Sequence, residues 1–366
     1  MRPRDLAKAH IRDLQPYRGG KPIEELEREQ GIHEAIKLAS NECPEPPSES
    51  VLEALRSALG ELNRYPDGDA HRLSRALAEH LGLEDENLFL GAGSDEILEI
   101  IVKCFLGPGD EAVFPWPSFA MYPIVTRGMG ARARRVALDA ELGVDIDALL
   151  EAVSERTRLV FLANPNNPTG RSIGRESFDR LLRELPEHVL LVNDEAYFEY
   201  VRRPDYPDAL HAFVRRPTLV TLRTFSKIHG LAGLRLGYAF ADPELIDLLE
   251  RARHPFNVSH LAQVAGRAAL EDGERVARVR RRTHEELEQL ERAFEELQLR
   301  YTPSDANFVL VQIGPEALRI HERLLAQGVI TRPMAAFGLP DHLRVTVGLP
   351  QENKRFLEAL RRELAR

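Results

Sequence analysis

The sequence predicts an α/β protein: a large domain with a mostly parallel central sheet flanked by helices, and a smaller α+β domain. Short apolar runs alternate with longer amphipathic stretches from about residue 50 to 250, and a long charged helical pattern follows after about residue 255. The 366 residues also exceed what one hydrophobic core usually supports. We therefore expect an N-terminal arm at residues 1–30, a large domain at 31–255 and a small domain at 256–366, with part of the N-terminal segment as a candidate addition to the small domain.

Several apolar runs of the large domain have the length and composition of buried strands. They are Leu88–Leu90, Glu111–Phe114, Leu159–Ala163, Val189–Asn193, Leu219–Leu222 and Leu236–Phe240. Helix-like segments such as Asp95–Phe105 and Arg175–Leu185 separate several of them, which predicts parallel strands joined by crossovers. Ligands of such sheets bind beyond the carboxyl ends of the strands. In the small domain, one long helix is predicted over about Ala262–Leu297.

Composition argues against several classes of protein. Apolar residues make up 43% of the chain, and no apolar run approaches the roughly 18 residues of a membrane span. The net charge of −9 disfavours general nucleic-acid binding, and the arginines at 278 and 280–282 are interleaved with glutamates, as on a solvated helix face. The two cysteines, Cys43 and Cys104, form neither a disulfide framework nor a zinc motif. Because the first residues also lack a secretory pattern, we expect a cytoplasmic protein without a metal site.

The segment TFSK, at residues 224–227, follows a predicted strand and is the most informative part of the sequence. A lysine at the carboxyl end of a strand lies where substrates bind, and the amine of Lys227 can form an imine with a carbonyl cofactor. The hydroxyls of Thr224 and Ser226, with Arg235 eight positions beyond the lysine, suit a phosphate group. Taken alone, such a Ser-Lys pair is more often part of an exposed loop.

A second segment, VNDEAY at residues 192–197, also follows an apolar strand. Pyridoxal 5′-phosphate (PLP) withdraws electrons when its pyridine nitrogen is protonated, and a carboxylate beside that nitrogen favours the protonated form. Asp194 is the candidate carboxylate, and Tyr197 is a candidate hydrogen-bond donor to the phenolic oxygen of the cofactor. The Asp-Glu pair could equally bind Mg²⁺, but the sequence has no GxxxxGK[ST] phosphate loop to complete such a site.

Two turns supply further candidates. NPNNPTG, at residues 164–170, forms a rigid turn that makes Asn167 a second donor to the phenolic oxygen. GAGSDE, at residues 91–96, joins a strand to a helix, so the backbone N–H groups of Gly93, Ser94 and Asp95 can bind a phosphate at the helix N-terminus. The dinucleotide fingerprint GxGxxG fails because Glu96 occupies its third glycine position, which argues against NAD.

In their order along the chain, GAGSDE, NPNNPTG, NDEAY, TFSK and LAGLRLG resemble the motifs of fold-type I PLP-dependent enzymes, class I and II aminotransferases in particular. The resemblance covers nearly the whole chain. It implies that Lys227 holds PLP as a Schiff base and that Phe119 stacks on the pyridine ring. It also implies that Arg344, in LRVTVG at residues 343–348, grips an acid group of the substrate, as a guanidinium group can in bidentate geometry.

Four further segments resemble histidinol-phosphate aminotransferases: LQPYRGGKPIEEL at 14–26, KLASNE at 37–42, RYPD at 64–67 and PFNVS at 255–259. By this resemblance Tyr17 of an N-terminal arm reaches a substrate pocket, and Asn41 lies near the mouth of the active site. Tyr65 would contact the cofactor phosphate of the partner subunit in a homodimer with shared active sites. The implied amino donor and 2-oxo acid are anionic, so Arg332 is a second candidate, beside Arg344, for binding the substrate. The alternative is that Arg332 is simply an exposed turn residue.

The sequence departs from the pattern of this family in two places. CPEPPS follows Asn41 and Glu42 where the family more usually has Asn-Pro and a glycine, and Phe119 stands where many members have tyrosine. These changes leave the choice of substrate open. The implied ping-pong reaction converts histidinol phosphate to imidazole acetol phosphate with 2-oxoglutarate as acceptor. The alternatives are an aromatic or broad-specificity aminotransferase, a phosphoamino acid decarboxylase, and a catalytically silent regulator.

Overall fold

The computed structural model describes residues 2–16 and 19–365. The helices are α1 Pro3–Leu6, α2 Ala9–Arg12, α3 Ile23–Gln30, α4 Glu49–Ala58, α5 His71–Leu81, α6 Ser94–Phe105, α7 Met121–Gly128, α8 Ile146–Glu151, α9 Arg175–Glu184, α10 Ala212–Arg215, α11 Pro243–Ala252, α12 His260–Leu270, α13 Gly273–Glu296, α14 Ala317–Leu325 and α15 Pro350–Leu364. The strands are β1 Ile36–Lys37, β2 Leu88–Gly91, β3 Glu111–Trp116, β4 Arg132–Ala137, β5 Thr157–Ala163, β6 Leu190–Asp194, β7 Leu219–Thr224, β8 Gly237–Ala241, β9 Arg300–Thr302, β10 Phe308–Gln312, β11 Val329–Ile330, β12 Arg332–Pro333 and β13 His342–Thr346. Short 3-10 turns cover Leu59–Glu61, Asp85–Asn87, Phe198–Tyr200, Ala232–Leu234 and Ala335–Phe337.

Within the described residues, seven strands form the central sheet in the order β2-β8-β7-β6-β5-β3-β4. Strands β4, β3, β5, β6 and β7 run parallel, whereas β8 is antiparallel to both of its neighbours. The connection from β7 to β8 contains a 3-10 turn and no crossover helix, which suits an antiparallel return. The predicted α/β architecture with a mostly parallel sheet is confirmed, and the predicted strands are present with ends that differ by one or two residues.

Strand β4 is absent from the predicted strands because its arginines interrupt the apolar pattern. It lies at the edge of the sheet, where charged side chains reach solvent and protect the open edge from pairing with another chain. The inner strands are apolar on both faces: in β5, Val160 and Leu162 face one buried cluster, while Leu159 and Phe161 face the other. Helices α4, α5, α8, α9 and α12 contribute to the first cluster, and α6, α7 and α11 to the second.

The long helix predicted over Ala262–Leu297 is wrong: the structure has two helices, α12 and α13, with a break at residues 271–272. The Asp272 side chain caps the second helix by accepting a hydrogen bond from the backbone N–H of Arg275 at 3.1 Å. Aspartate is a favoured N-cap residue, so a new helix begins where the charge pattern alone indicates continuity. No helix in the described part of the chain is long and apolar enough to cross a membrane.

The break between α12 and α13 separates two groups of packed elements. Helix α12 packs on α4 and α5 against the central sheet, whereas α13 packs against α15 and the antiparallel sheet β12-β13-β10-β9. Strand β1 pairs in parallel with β11, so the segment around Ile36 also packs with the C-terminal elements. The chain therefore passes between the two groups from β1 to α4 and again from α12 to α13. The domain boundaries at residues 30 and 255 stay a prediction.

Candidate active site

Three neighbouring parallel strands bring the predicted residues together. In the register of β5, β6 and β7, Ala163 lies opposite Asp194, and Asp194 lies opposite Leu222. The turn with Asn167, the carboxylate Asp194 and the loop with Lys227 therefore lie at the same edge of the sheet. The cleft at this edge is lined by Ser94, Asp95, Phe119, Ala163, Pro165, Asn167, Asp194, Ala196, Tyr197, Thr224, Ser226, Lys227 and Arg235.

Asp194 is buried at the floor of this cleft. Its carboxylate accepts hydrogen bonds from the hydroxyl of Tyr122 at 2.7 Å and from the backbone N–H of Ala196 at 3.1 Å. Burial raises the pKa of Asp194 to about 6, against the opposing effect of these two donors and of the Lys227 ammonium group. The carboxyl group is therefore mainly ionised at neutral pH and would be stabilised further by a cation placed in the cleft.

Tyr122 was not among the predicted site residues, although it ends the segment PWPSFAMY. It is fully buried, stacks on Phe161 with ring centroids 4.8 Å apart, and directs its hydroxyl to Asp194. Burial, followed by the nearby Asp194, raises the pKa of this phenol well above its usual value, so it stays a donor. The sequence signal that could have indicated Tyr122 is its spacing from Phe119, which lines the cleft three residues earlier. The two rings pack edge to face with their centroids 5.7 Å apart.

Tyr197 is held by Asn41, which comes from the segment after β1. The Asn41 side-chain amide donates to the Tyr197 oxygen at 3.0 Å. Asn41 is itself fixed from the small sheet, because its backbone N–H donates to Thr346 at 2.9 Å and its carbonyl accepts from Asn307 at 3.1 Å. Burial raises the pKa of Tyr197 to about 12, so this phenol is neutral and can donate its own hydrogen. Thr346 and Asn307 were not predicted: Thr346 lies in the LRVTVG segment, where only Arg344 was a candidate, and Asn307 belongs to none of the motifs.

Lys227 projects from a compact loop that follows β7. The loop is closed by hydrogen bonds from Gly230 N–H to the Lys227 carbonyl at 3.0 Å and from Leu231 N–H to the Phe225 carbonyl at 3.1 Å. The Lys227 amine lies 3.5 Å from the carbonyl oxygen of Ser40 and 5.5 Å from the centre of the Tyr197 ring. These contacts place the amine beside the Asn41 segment, and Lys227 also lines the cleft at the strand ends.

The N-terminus of α6 lies at the cleft, next to Arg235. Gly93 has a positive φ of 81°, which glycine adopts readily, and no side chain of this N-cap residue caps the helix, whose first residues Ser94 and Asp95 line the cleft. A Cβ atom on Gly93 would lie 2.5 Å from the Arg235 guanidinium group, and one on Gly237 would lie 2.5 Å from the Ser94 nitrogen. Arg235 also lies 3.3 Å from the Asp95 carboxylate. Glycine at both positions therefore keeps the helix terminus and Arg235 together, which fits a phosphate group.

A second cleft adjoins the first and shares its central residues. It is also lined by Gly20, Ala39, Ser40, Asn41, Ala120, Met121, Arg332, Phe337 and Arg344. Arg344 is only 7% exposed and donates to the Asn167 side chain and to the Ala39 carbonyl. Arg332 lies opposite Arg344 in the β12–β13 pair and donates to the Gly19 carbonyl at 2.9 Å. This cleft therefore combines two guanidinium groups with an apolar wall.

Of the remaining predicted residues, Tyr65 lies elsewhere in the chain. Tyr65 is 82% exposed and stacks on Phe256 at 4.7 Å; it lines a separate groove together with residues of α4, α5 and α12, and is not among the residues around Lys227. A single chain therefore does not bring Tyr65 to the predicted cofactor site. Tyr17 lies outside the described residues, so its expected position near the substrate stays a prediction.

The chain belongs to the family of class I and II aminotransferases, whose sequence profile matches residues 33–360. This confirms the family expected from the motifs.

Among its relatives, histidinol-phosphate aminotransferase 2 of Pseudomonas fluorescens strain Pf-5 is 49% identical over 363 residues, which cover 99% of this chain and 98% of the relative. The histidinol-phosphate aminotransferase of Moorella thermoacetica is 46% identical over 97% of this chain and 92% of the relative.

Solved structures agree with the fold. Histidinol-phosphate aminotransferase from Sinorhizobium meliloti, in complex with pyridoxal-5′-phosphate, superimposes with a TM-score of 0.89 at 30% identity and covers 98% of both chains. Aspartate aminotransferase from Thermus thermophilus with maleate gives a TM-score of 0.84 at 25% identity, over 98% of this chain and 99% of that chain. The expected fold-type I architecture is thereby confirmed.

Replacing Tyr122 with phenylalanine should destabilise the protein more at pH 8 than at pH 5. The hydroxyl stabilises the ionised form of Asp194, so its loss raises the pKa of that carboxyl group further above its value of about 6. A raised carboxyl pKa removes stability as pH rises through it, and the lost hydrogen bond to a charged group should cost roughly 1.5–3 kcal/mol at pH 8. The measurement is the unfolding temperature of variant and wild type at both pH values.

Tyr301→Phe provides a matched control, because the Tyr301 hydroxyl donates to the exposed Glu295 carboxylate at the same distance of 2.7 Å. An exposed bond of this kind contributes less. The Asp194 assignment would be contradicted if Tyr122→Phe lowered the unfolding temperature equally at both pH values.

Proposed function

We propose that this chain is a PLP-dependent histidinol-phosphate aminotransferase. It would convert L-histidinol phosphate and 2-oxoglutarate to imidazole acetol phosphate and L-glutamate, as a step of histidine biosynthesis in the cytoplasm. The observation that carries the proposal is the convergence of Lys227, Asp194 and the N-terminus of α6 in one cleft. Full-length relatives with this name, at 46–49% identity, support the choice of substrate.

The residues of the first cleft fit PLP at each of its polar groups. Asp194 would pair with the pyridine nitrogen, while Asn167 and Tyr197 would donate to the phenolic oxygen. Phe119 would cover the ring. The phosphate would be held by the backbone of Gly93, Ser94 and Asp95 together with Thr224, Ser226, Arg235 and the Tyr65 of a second subunit. When bound, the cofactor supplies an electron sink for the bonds of the substrate carbon that carries the amino group.

Lys227 would have two roles in this cleft. Its amine would attach the cofactor covalently as an imine, and when it is not so attached it would move a proton away from the substrate carbon. The second role requires the amine to be held in a fixed position near the substrate. The hydrogen bonds within the loop at residues 225–231 fix the backbone that carries Lys227. Asp194 would support this step, because its carboxylate favours a positive charge on the pyridine nitrogen.

The second cleft would receive both substrates in turn. The amino donor and the 2-oxo acid each carry an anionic group at the end that Arg344 can bind, and Arg332 supplies a further positive charge on the neighbouring strand. One cleft serving two anionic substrates in alternation is the arrangement that a ping-pong transamination requires. The apolar wall of Ala120, Met121 and Phe337 also suits an aromatic side chain, which favours an aromatic aminotransferase as the second candidate function.

Substrate preference separates the two candidates. We expect kcat/KM for histidinol phosphate to exceed that for phenylalanine by at least about 100-fold, since the carboxylate of phenylalanine leaves unpaired some of the polar groups arranged for a phosphate. Phosphothreonine should be neither decarboxylated nor a good amino donor. The measurement is a coupled assay of glutamate formation from 2-oxoglutarate with each donor.

Arg344→Ala should lower kcat/KM for both donors, whereas Arg319→Ala, which removes an exposed arginine paired with Glu316, should not. Equal kcat/KM values for histidinol phosphate and phenylalanine in the wild type would favour the aromatic aminotransferase instead.

We also propose a homodimer with shared active sites. Tyr65 lies away from Lys227 in its own chain, and its exposed ring stacks on Phe256. Leu59 and Leu62, which precede it closely in the sequence, are also exposed. Exposed apolar groups in this number are typical of a surface that another chain covers. A second subunit on this surface would allow Tyr65 to reach the phosphate site of its partner.

Complementation tests the shared site. Lys227→Ala chains keep Tyr65, and Tyr65→Ala chains keep Lys227, so a mixed dimer contains one site with both residues intact if Tyr65 acts on the partner. Refolding the two variants together should then restore activity well above that of either alone. If Tyr65 acts within its own chain, no such site forms. Differential tags would verify the mixed dimer, and a verified mixed dimer without recovered activity would exclude sharing.

A further inference from the structure

Arg275 lies in the first turn of α13 and is buried, with 4% of its surface exposed. One end of its guanidinium group, Nη1, donates to the carbonyl of Ile228 at 2.7 Å. The other end, Nη2, donates to the carbonyls of Pro46 at 3.0 Å and Glu45 at 3.4 Å. Ile228 directly follows Lys227. One side chain therefore joins the lysine loop to the segment at residues 45–46.

The lysine loop has the shape that this contact needs. Gly230 has a positive φ of 71°, and a Cβ atom there would lie 2.7 Å from the Arg275 guanidinium group and 3.3 Å from the Glu45 carbonyl. A larger residue would push the loop away from the arginine. Cys43, whose sulfur lies 3.8 Å from the same guanidinium nitrogen, completes the surroundings on the other side. The N–H donors of a buried guanidinium group need acceptors, because leaving them unpaired away from water is costly. The hydrogen bonds from Arg275 therefore hold the carbonyls of both segments strongly.

Arg275 also lies where the chain passes between the two groups of packed elements. It is three residues beyond Asp272, which begins α13 after the break that follows α12. Residues 45–46 belong to the other passage, between β1 and α4, and that passage also carries Asn41, the partner of Tyr197. The guanidinium group is thus bonded at both passages and to the loop of Lys227.

Two arginines farther along α13 also contact the segment at residues 45–46. The carboxylate of Glu45 pairs with Arg282 and lies 3.8 Å from Arg278. These contacts hold the side chain of Glu45, whereas Arg275 holds the backbone carbonyls and the lysine loop. Glu45 belongs to the CPEPPS stretch, in which this sequence departs from its family. Arg282 and Arg278 therefore serve as controls on the same helix.

We propose that Arg275 is a positioning residue for Lys227. It fixes residues 225–231 against residues 43–46, so that the lysine amine stays beside the Ser40 carbonyl and the Tyr197 ring, where it can move a proton of the substrate. Arg275 acts through the backbone at Ile228 and does not touch the reacting groups. This inference rests on the proposed role of Lys227, but its effect on the backbone does not depend on the identity of the substrate.

The first test measures amide hydrogen exchange in the protein as purified. Arg275→Ala should raise exchange in residues 225–231 and in residues 43–48 together. Arg282→Ala should raise it only in residues 43–48, and Arg278→Ala, at a side chain 57% exposed, should leave both segments near the wild-type rate. Unchanged exchange at residues 225–231 in Arg275→Ala would overturn the proposal, even if the protein transaminates none of the donors offered.

The second test separates positioning from simple loss of folded protein. Arg275→Ala should lower kcat by about 10- to 100-fold with a much smaller change in KM, because misplacement of a catalytic group by about 1 Å has effects of that size. The isotope effect with an α-deuterated amino donor should rise, since proton transfer becomes slower at each site. A smaller number of folded sites lowers the rate but leaves the isotope effect unchanged.

Rescue completes the test. Millimolar guanidinium ion, well below denaturing concentrations, should partly restore kcat of Arg275→Ala and should not affect Arg282→Ala. Arg275→Lys keeps the charge but cannot reach both sets of carbonyls, so it should fall between wild type and the alanine variant. If the alanine variant does not fold, the lysine variant decides: wild-type exchange and a wild-type isotope effect in Arg275→Lys would contradict the proposal.

Discussion

The register of β5, β6 and β7 is the constraint on which the site depends. It places Ala163, Asp194 and Leu222 side by side, so that three different turns begin at the same edge of the sheet. A shift of one strand by two residues would preserve the facing of its side chains but would move its turn by about 6–7 Å. The apolar side chains on both faces of these strands prevent such a shift, because both buried clusters depend on them. Packing in the core thereby determines the distance between the carboxylate and the lysine.

Each of two buried carboxyl groups beneath the cleft has its own hydrogen-bond donors. Asp194 is held by Tyr122 and the Ala196 N–H, and the next residue, Glu195, forms a buried ion pair with Arg223 at 2.8 Å. Burial raises the pKa of both carboxyl groups, and the neighbouring donors act against it. These bonds link β6 to β7 and to α7. The same contacts that make the buried charges tolerable therefore also fix the positions of the functional groups.

The sequence was sufficient to predict what local patterns encode. Apolar runs predicted the strands, and the residues at their ends predicted the members of the first cleft, including Asn167 and Lys227. Features that depend on contacts between distant segments were not predicted: Tyr122 meets Asp194 across 72 residues, and Arg275 meets Ile228 across 47. The break before α13 was not predicted, because an aspartate such as Asp272 can either cap a new helix or belong to the charged face of a continuous one. The proposed role of Tyr65 is not visible in one chain, where its ring is exposed, because the phosphate site that it would reach belongs to a second chain.

Attachment of the cofactor to Lys227 is the central claim, and chemical reduction tests it most directly. The purified protein with PLP should be yellow, and borohydride should bleach the colour and fix the cofactor covalently to one peptide. Digestion and mass spectrometry then identify the modified residue. The account predicts one label per chain, on Lys227, and none in Lys227→Ala. A label on another lysine, or a labelled Lys227→Ala protein, would contradict it.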